Sequence, residues 1–342
     1  MEKPVLRTSP CFSSIYGCYL QHELSKGVDI VSSFAKVNRT LSYGGFCWNR
    51  WQSYTPYLFI APFMILLCIF TVYTFLRGIG LSLTDAQAIN PGSWVGLDNF
   101  KELLRTDEFQ KSLLHTFWFS VGCLATQVPV AFVLAFVLNS ISKGRAALQA
   151  VFVVPCVVNT VITALLFRML FNKDVGLVNW FLGLLHLPNH IDWVTIEPYA
   201  IPLMVIISFW QWTGFHMIYF LAQLQAIDPC IYEVAKLDGA SPIRTMFQIT
   251  LPLMRYAFTY VVITATIGCF QMFEYAFLLF PNAGFGPGKA AETVMCFIWY
   301  HGFNQQFRLG FATAAGWILF MIVLMISLFQ FKTIGLGQVG DE

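Results

Sequence analysis

The sequence predicts an all-α, polytopic membrane protein with six transmembrane helices. Three observations predict it. Of the 342 residues, 57% are apolar and only 11% charged, where a soluble domain carries about a quarter charged residues. The charges are unevenly spread, with none at 51–76, 112–142, 146–167, 198–227 or 309–331. A sixth stretch, 256–279, holds one charge, Glu274. Each stretch is long enough to cross a hydrocarbon core, which takes roughly 20 helical residues.

In chain order, residues 1–53 are a polar, serine-rich lead with no apolar run of spanning length. It is not a secretory signal, because the first apolar run is too long and no cleavage-like site follows it. It is expected to be a cytoplasmic extension before a membrane domain over 54–342. Span 1 covers about 57–76, with Pro62 near its start. Span 2 covers 112–139 and turns through Ser142-Lys143-Gly144-Arg145. Span 3 covers 147–171, interrupted by Pro155 and Asn159, and an outer loop with a short apolar helix near 177–185 follows. Span 4 covers 199–224, span 5 covers 256–280, and span 6 ends near Phe331. The spans show no inverted internal repeat.

Orientation follows from lysine and arginine near the span ends. Lys3, Arg7, Lys26, Lys36, Arg39 and Arg50 precede span 1, and Lys143 with Arg145 joins spans 2 and 3. The opposite loops hold most acids: Asp85, Asp98, Glu102, Asp107, Glu108, Asp174, Asp192, Glu197 and Glu292. Both termini, and the loop between spans 4 and 5, are therefore expected in the cytoplasm. The nine cysteines lack a CxxC pair; isolated apolar cysteines behave as small buried hydrophobes, and neither a disulfide nor a zinc site is expected. A net charge of +2 without a basic patch gives nucleic acid no footing.

The loop at 228–252 is unusually well specified. Asp228-Pro229 reads as an N-cap with proline at the first helical position, and Ser241-Pro242 repeats the device. Gly239 lies between them, where one short helix ends and the next begins. The spacing predicts a helix–turn–helix knuckle, with Glu233 and Lys236 at i,i+3, shaped to dock into a partner.

Glu233-Val234-Ala235, then Asp238-Gly239-Ala240, then Leu251-Pro252 resembles the cytoplasmic EAA loop of permease subunits of binding-protein-dependent ABC importers. Val234 departs from the usual alanine. Val95-Gly96-Leu97-Asp98-Asn99-Phe100, Pro155 with Asn159, Gly176-Leu177-Val178-Asn179, and Gly286-Pro287 with Thr293 are similar to the carbohydrate-uptake branch, which handles sugars and glycerol-3-phosphate. The resemblance covers about 54–335. It implies the type I ABC importer permease fold in a bacterial inner (cytoplasmic) membrane. It also implies that the loop docks as a coupling helix on a cytoplasmic ATPase subunit. Glu233, Ala235, Asp238, Gly239, Ala240 and Pro252 are its expected working positions: Glu233 pairs with the partner, Ala235 and Ala240 permit close approach, Gly239 turns the chain, and Pro252 hands over to span 5. The implied partners are a second homologous permease, two ATPase subunits that bind ATP and Mg, an extracytoplasmic solute-binding protein and the bilayer. The chain itself is expected to carry no cofactor, no metal and no catalytic residue.

Inside the membrane, Glu274 is the one acid in a span, and intramembrane charges usually face a cavity or bundle interior. Its position late in span 5 also fits the outer interface. Trp210 and Gln211 in span 4, with Gln271 and Glu274, offer the aromatic faces and hydrogen-bonding groups that sugars use. Packing and lipid contact are the competing roles for the aromatics. Arg168 is expected to snorkel at the outer end of span 3. Gly284–Ala290 imitates a phosphate-binding loop, but Ala283 and Ala290 stand where that motif needs glycine and a hydroxyl residue. The expected function is ATP-driven import of a carbohydrate or polyol. The alternatives are the same transporter with a non-sugar cargo, or a stand-alone secondary transporter, which usually shows paired repeats and more intramembrane ionisable groups.

Overall fold

The computed structural model describes residues 48–335 except 88–89, 91, 142, 189, 281–284 and 305–306, with side chains described from Tyr57 to Ile334. The expected cytoplasmic extension therefore lies outside the described residues as far as Cys47, as do Ala283 and Gly284 of the false phosphate loop. Among the described residues the secondary structure is helical, apart from one antiparallel bridge between Thr84 and Trp94.

The chain divides into two compact units between Tyr73 and Thr74. The first contains α1 (Trp48–Leu67) and a π turn at Cys68–Val72. Helix α2 (Tyr73–Ser82) carries the chain into the second. There follow α3 (Asp98–Arg105), α4 (Asp107–Ser140), α5 (Arg145–Val157), α6 (Thr160–Leu170), α7 (Leu177–Leu184) and α8 (Ala200–Ala226). The knuckle is α9 (Pro229–Leu237), α10 (Pro242–Thr245), a π turn and α11 (Leu251–Leu253). The chain ends through α12 (Arg255–Phe270), α13 (Glu274–Leu279), α14 (Val294–Trp299) and α15 (Leu309–Gln330).

Four helical stretches are long and apolar enough to span a bilayer: Tyr57–Ser82, Asp107–Ser140, Glu197–Ala226 and Leu309–Ile334. Two further candidates are bent pairs. Arg145–Val157 and Thr160–Leu170 meet at 94°, and Pro242–Leu253 meets Arg255–Phe270 at 73°. Counting each pair as one span gives six. Span 3 thus bends at the interruption its sequence marks, and the 73° bend, at Met254, falls just before the predicted start of span 5. Pro155 and Asn159 account for the first bend: proline lacks the N–H that an interior helical position donates, and Asn159 caps α6 by accepting from Val161 N at 2.8 Å. Span 5, expected to run unbroken over 256–280, stops at Phe270 and restarts at Glu274 as α13. The restart places the Glu274 carboxylate in a first helical turn, where the helix dipole favours negative charge.

The long helices α4 and α8 pack side by side at the centre of the second unit. The buried face of α4 includes Ser112, Thr116, Ser120, Cys123, Ala131 and Ala135, small residues recurring at helical spacing. Between lipid-bathed helices such residues let backbones approach closely, because apolar side chains gain little by leaving one hydrocarbon for another. Gln127 Nε2 donates to Ser208 Oγ at 2.8 Å across this interface. Gly214 gives α5 its place against α8: a methyl group there would overlap the Phe152 carbonyl. At the knuckle end, Phe132, Phe220 and Phe258 join α4, α8 and α12, with Phe132 and Phe258 ring centroids 4.9 Å apart. At the far end, α13 packs on α6 instead of continuing outward, and Tyr275, Leu279 and Phe285 are buried there with Phe167 and Phe171.

Gly214→Ala should force α5 away from α8 and cost about 1–3 kcal/mol. Gly268→Ala, whose added methyl meets nothing within 4 Å, should leave stability unchanged or raise it slightly. Thermal unfolding of the two purified variants in one detergent checks the contrast; equal midpoints would remove the close-approach argument.

Candidate functional site

The knuckle is built as its sequence dictates. Asp228 caps α9 by accepting from Cys230 N at 2.9 Å, with Pro229 at the first helical position. Gly239 adopts φ +70°, a conformation that costs other residues roughly 1–2 kcal/mol. Around it Ala240 N donates to Ala235 O at 2.9 Å, and Gly239 N donates to Lys236 O at 3.1 Å, which together close a Schellman cap. Ser241 then starts α10, its Oγ accepting from Arg244 N at 3.3 Å. Tyr232 Oη and Thr250 Oγ1, 3.4 Å apart, tie the two arms together.

Caps at each turn make the knuckle rigid, and its outer surface is apolar. Leu237 is 88% exposed and Ile243 70%; Val234 and Phe247 are exposed beside them. Glu233, Lys236 and Asp238 are exposed too, and among the described residues no ion pair joins Glu233 to Lys236. Ala235, unlike its neighbours, is buried. Pro252 lies in the three-residue helix α11, just before the chain bends into α12. Sequence reasoning missed Leu237, Ile243 and Phe247. The available signal was large apolar side chains on a doubly capped loop that has no core of its own.

The second cluster lies where spans 3 and 5 break. Gln211 on α8 is almost wholly buried. Its Nε2 donates to Val158 O at 2.9 Å, a carbonyl freed by the 94° bend. Its Oε1 accepts from Tyr275 Oη at 2.7 Å, just beyond the second break. One amide thus binds both interrupted spans to α8. The second break is closed independently: Thr293 Oγ1 donates to Met272 O at 2.8 Å and also caps α14. Of the other predicted positions, Gln271 is exposed and Glu274 half-buried, one on each side of that break. Trp210 stacks edge-on against Phe167, centroids 5.4 Å apart, with 40% of its surface exposed. Arg168 is exposed in the last turn of α6.

The stretch 285–304, with Phe307 and Arg308, folds back onto the bundle at the end away from the knuckle, held by charge. Arg308 makes a bidentate pair with Glu102 at 2.7 and 2.8 Å and holds that carboxyl below the usual carboxylate range. Lys289, from the false phosphate loop, pairs with Glu108, whose other oxygen lies 3.4 Å from His301 Nε2. Glu292 is the exception. It is only 2% exposed, its Oε1 has no hydrogen-bond partner among the described residues, and burial pushes its carboxyl up to about 7 against the pull of Lys289.

Comparison with known proteins covers most of this architecture. Residues 127–334 match the family described as binding-protein-dependent transport system inner membrane component. The chain is 32% identical over 286 residues to the probable ABC transporter permease protein YesP of Bacillus subtilis, covering 83% of this chain and 91% of that one. It is 31% identical over 284 residues to the arabinooligosaccharides transport system permease protein AraP of the same organism, covering 82% and 88%. Among solved structures it is similar to a bacterial ABC transporter involved in import of the acidic polysaccharide alginate, with a TM-score of 0.72, 27% identity, and coverage of 82% of this chain and 96% of that one.

Replacing Gln211 with leucine should orphan the Val158 carbonyl and the Tyr275 hydroxyl, at about 1–3 kcal/mol each, and lower the thermal midpoint markedly. Gln271→Leu, at an exposed position, should not; equal midpoints would remove Gln211 from its bridging role. The Glu292 carboxyl titrates near 4.5 when exposed and about 7 when folded. Between those values the folded state holds the extra proton, so stability should fall as pH rises and level off above about 7. Unfolding midpoints from pH 4.5 to 8.5 should slope less in Glu292→Gln; matching slopes would contradict this.

Proposed function

Because this chain belongs to the family of binding-protein-dependent transport system inner membrane components, we propose that it is the permease subunit through which a separate ATPase drives uptake of a carbohydrate or polyol. The observation that carries the coupling role is the exposed apolar surface of a knuckle whose backbone is fixed at each turn. Leu237, Ile243, Val234 and Phe247 present hydrocarbon for burial in a groove, which is where association gains most of its free energy. Glu233, Lys236 and Asp238 surround them with charges that set orientation. Gly239 and Ala240 shape the tip, the Ala235 carbonyl closes the turn by accepting from Ala240 N, and Pro252 marks the handover to α12.

The knuckle end lies in the cytoplasm with both termini. Each of two ATPase subunits, which bind ATP and Mg, grips one knuckle, so a second homologous permease completes the pathway. Solute reaches the far end on an extracytoplasmic binding protein, in keeping with the family's description and with a neighbouring structure of the alginate transporter in complex with its pentasaccharide-bound periplasmic protein. Displacement of the knuckle acts on α8 directly, because only Ile227 and the cap Asp228 separate α8 from α9. The 211–226 part of α8, roughly 22 Å long at about 1.5 Å per residue, carries the motion to Gln211, which grips both broken spans. Tyr219 of α8 stacks on Tyr260 of α12, centroids 4.3 Å apart, so the two helices move together.

The carbohydrate reading rests on the named relatives, among them the lactose transport system permease protein LacF of Rhizobium radiobacter, 29% identical. It fits the chemistry beside the second break. Gln271 and Glu274 offer an amide and a carboxylate for hydroxyl groups, and Trp210 offers a ring face for sugar C–H surfaces. Gln211 works behind them by positioning Tyr275 and Val158, without touching solute.

Leu237→Glu should reduce solute uptake more than tenfold in the assembled transporter while the variant still inserts in the membrane. Solute-stimulated ATP hydrolysis should fall with it; wild-type uptake would falsify the docking role. Glu274→Gln and Gln271→Ala should raise the solute concentration needed for half-maximal uptake without changing ATPase assembly. Wild-type concentration dependence in both would remove these residues from the pathway.

A further inference from the structure

The helix α7 is amphipathic in the sense opposite to that of a water-soluble surface helix. Its polar residue faces inward. Asn179 is buried, its Nδ2 donates to Lys173 O at 3.0 Å and Ile191 O at 2.9 Å, and its Oδ1 accepts from Trp193 Nε1 at 2.8 Å. That amide fixes the rotation of the helix, and the rotation turns the apolar residues outward. Leu177, Trp180, Phe181 and Leu184, at i, i+3, i+4 and i+7, are between 54% and 66% exposed. Water would oppose such an arrangement, and the side chains offer a protein partner no hydrogen-bonding group except the Trp180 indole.

Two features say what covers this face. It follows α6 in the chain, and α6 also carries exposed apolar residues, Ile162, Leu165, Leu166 and Met169, in a segment of spanning composition. It also borders a recess of about 420 Å³, lined by Leu177, Asn179 and Trp180 of the helix and by Lys173, Asp174 and His190 beside it. Hydrocarbon, then a tryptophan, then charged groups is the order in which a bilayer changes from acyl chains to headgroups. We propose that α7 lies in the interfacial layer of the leaflet away from the knuckle, with Phe181 and Leu184 among acyl chains and the recess, edged by Leu177 and Trp180, at headgroup level. An interfacial helix of this kind binds by its apolar area. Here it would fix the height and tilt of the bent α5–α6 pair in the membrane, and it rests only on the chain spanning a bilayer, not on the identity of the cargo.

The test is fluorescence quenching of the assembled transporter in nanodiscs, taking the wild-type minus Trp180→Phe difference to isolate Trp180. Lipids brominated near the top of the acyl chain should quench the difference signal strongly, and aqueous iodide should quench it little. Adding a tryptophan one turn on, by Leu184→Trp in otherwise wild-type protein, should add a signal with the same preference. Stronger quenching by iodide than by brominated lipid would make the face aqueous and overturn the proposal. Quenching by neither would place it against a protein partner, such as the second permease or the binding protein, and overturn it equally.

Discussion

A bilayer core offers no water to backbone groups that a helix leaves unpaired, and each unpaired group there costs several kcal/mol. This constraint falls hardest on a chain that breaks two of its spans. The bend after Val157 frees the Val158 carbonyl, and the break after Phe270 frees that of Met272. Gln211 answers the first and, through Tyr275, anchors the helix beyond the second. Thr293 answers the Met272 carbonyl directly. Much else depends on this arrangement: the burial of α13 beside α6, the folding back of 285–304 over the bundle, and the position of the exposed Gln271 and half-buried Glu274 at the second break.

The same constraint explains why one helix is suited to carry motion. Helix α8 is unbroken from Ala200 to Ala226 and joins the knuckle through a two-residue connection. It packs along the equally unbroken α4, while the broken spans beside it are held to it by side-chain hydrogen bonds and aromatic contacts. In the proposed cycle, force applied at the knuckle moves α8 as a unit and reaches the two breaks together. A pathway lined at those breaks would then change its opening without unwinding any helix. The ion pairs Glu102–Arg308 and Glu108–Lys289 hold the far-end segment to α3 and to the start of α4, so this end of the bundle also has fixed points.

Much of the fold was legible in the sequence because membrane spanning and helix capping are local signals. The charge-free stretches marked the apolar helices. Asp228-Pro229, Gly239 and Ser241-Pro242 marked the two arms of the knuckle, and each cap forms. Pro155 and Asn159 marked an interruption, though not a right-angled bend. The break at 271–273 was not legible: it contains no proline or glycine, and the Thr293 hydroxyl that closes it lies some twenty residues further on. Hydropathy alone read 256–280 as one helix. The commitment of Gln211 to two backbone breaks was hidden for the same reason, since a buried glutamine announces a need for partners without naming them. The outward turn of α7 depends on the three elements that Asn179 bridges, which composition does not reveal.

The central claim is that the knuckle is the contact through which an ATPase acts on the spans. It is tested most directly by cross-linking from its tip. Leu237→Cys, in a background where Cys68 and Cys230, the exposed cysteines among the described residues, and also Cys11, Cys18 and Cys47 are serine, should form a cross-link to the ATPase subunit that purifies with the chain, using a short bifunctional thiol reagent. Locking that contact should stop uptake, and cleaving a reducible linker should restore it. Absence of any cross-link in a complex that is assembled and transporting solute would contradict the account.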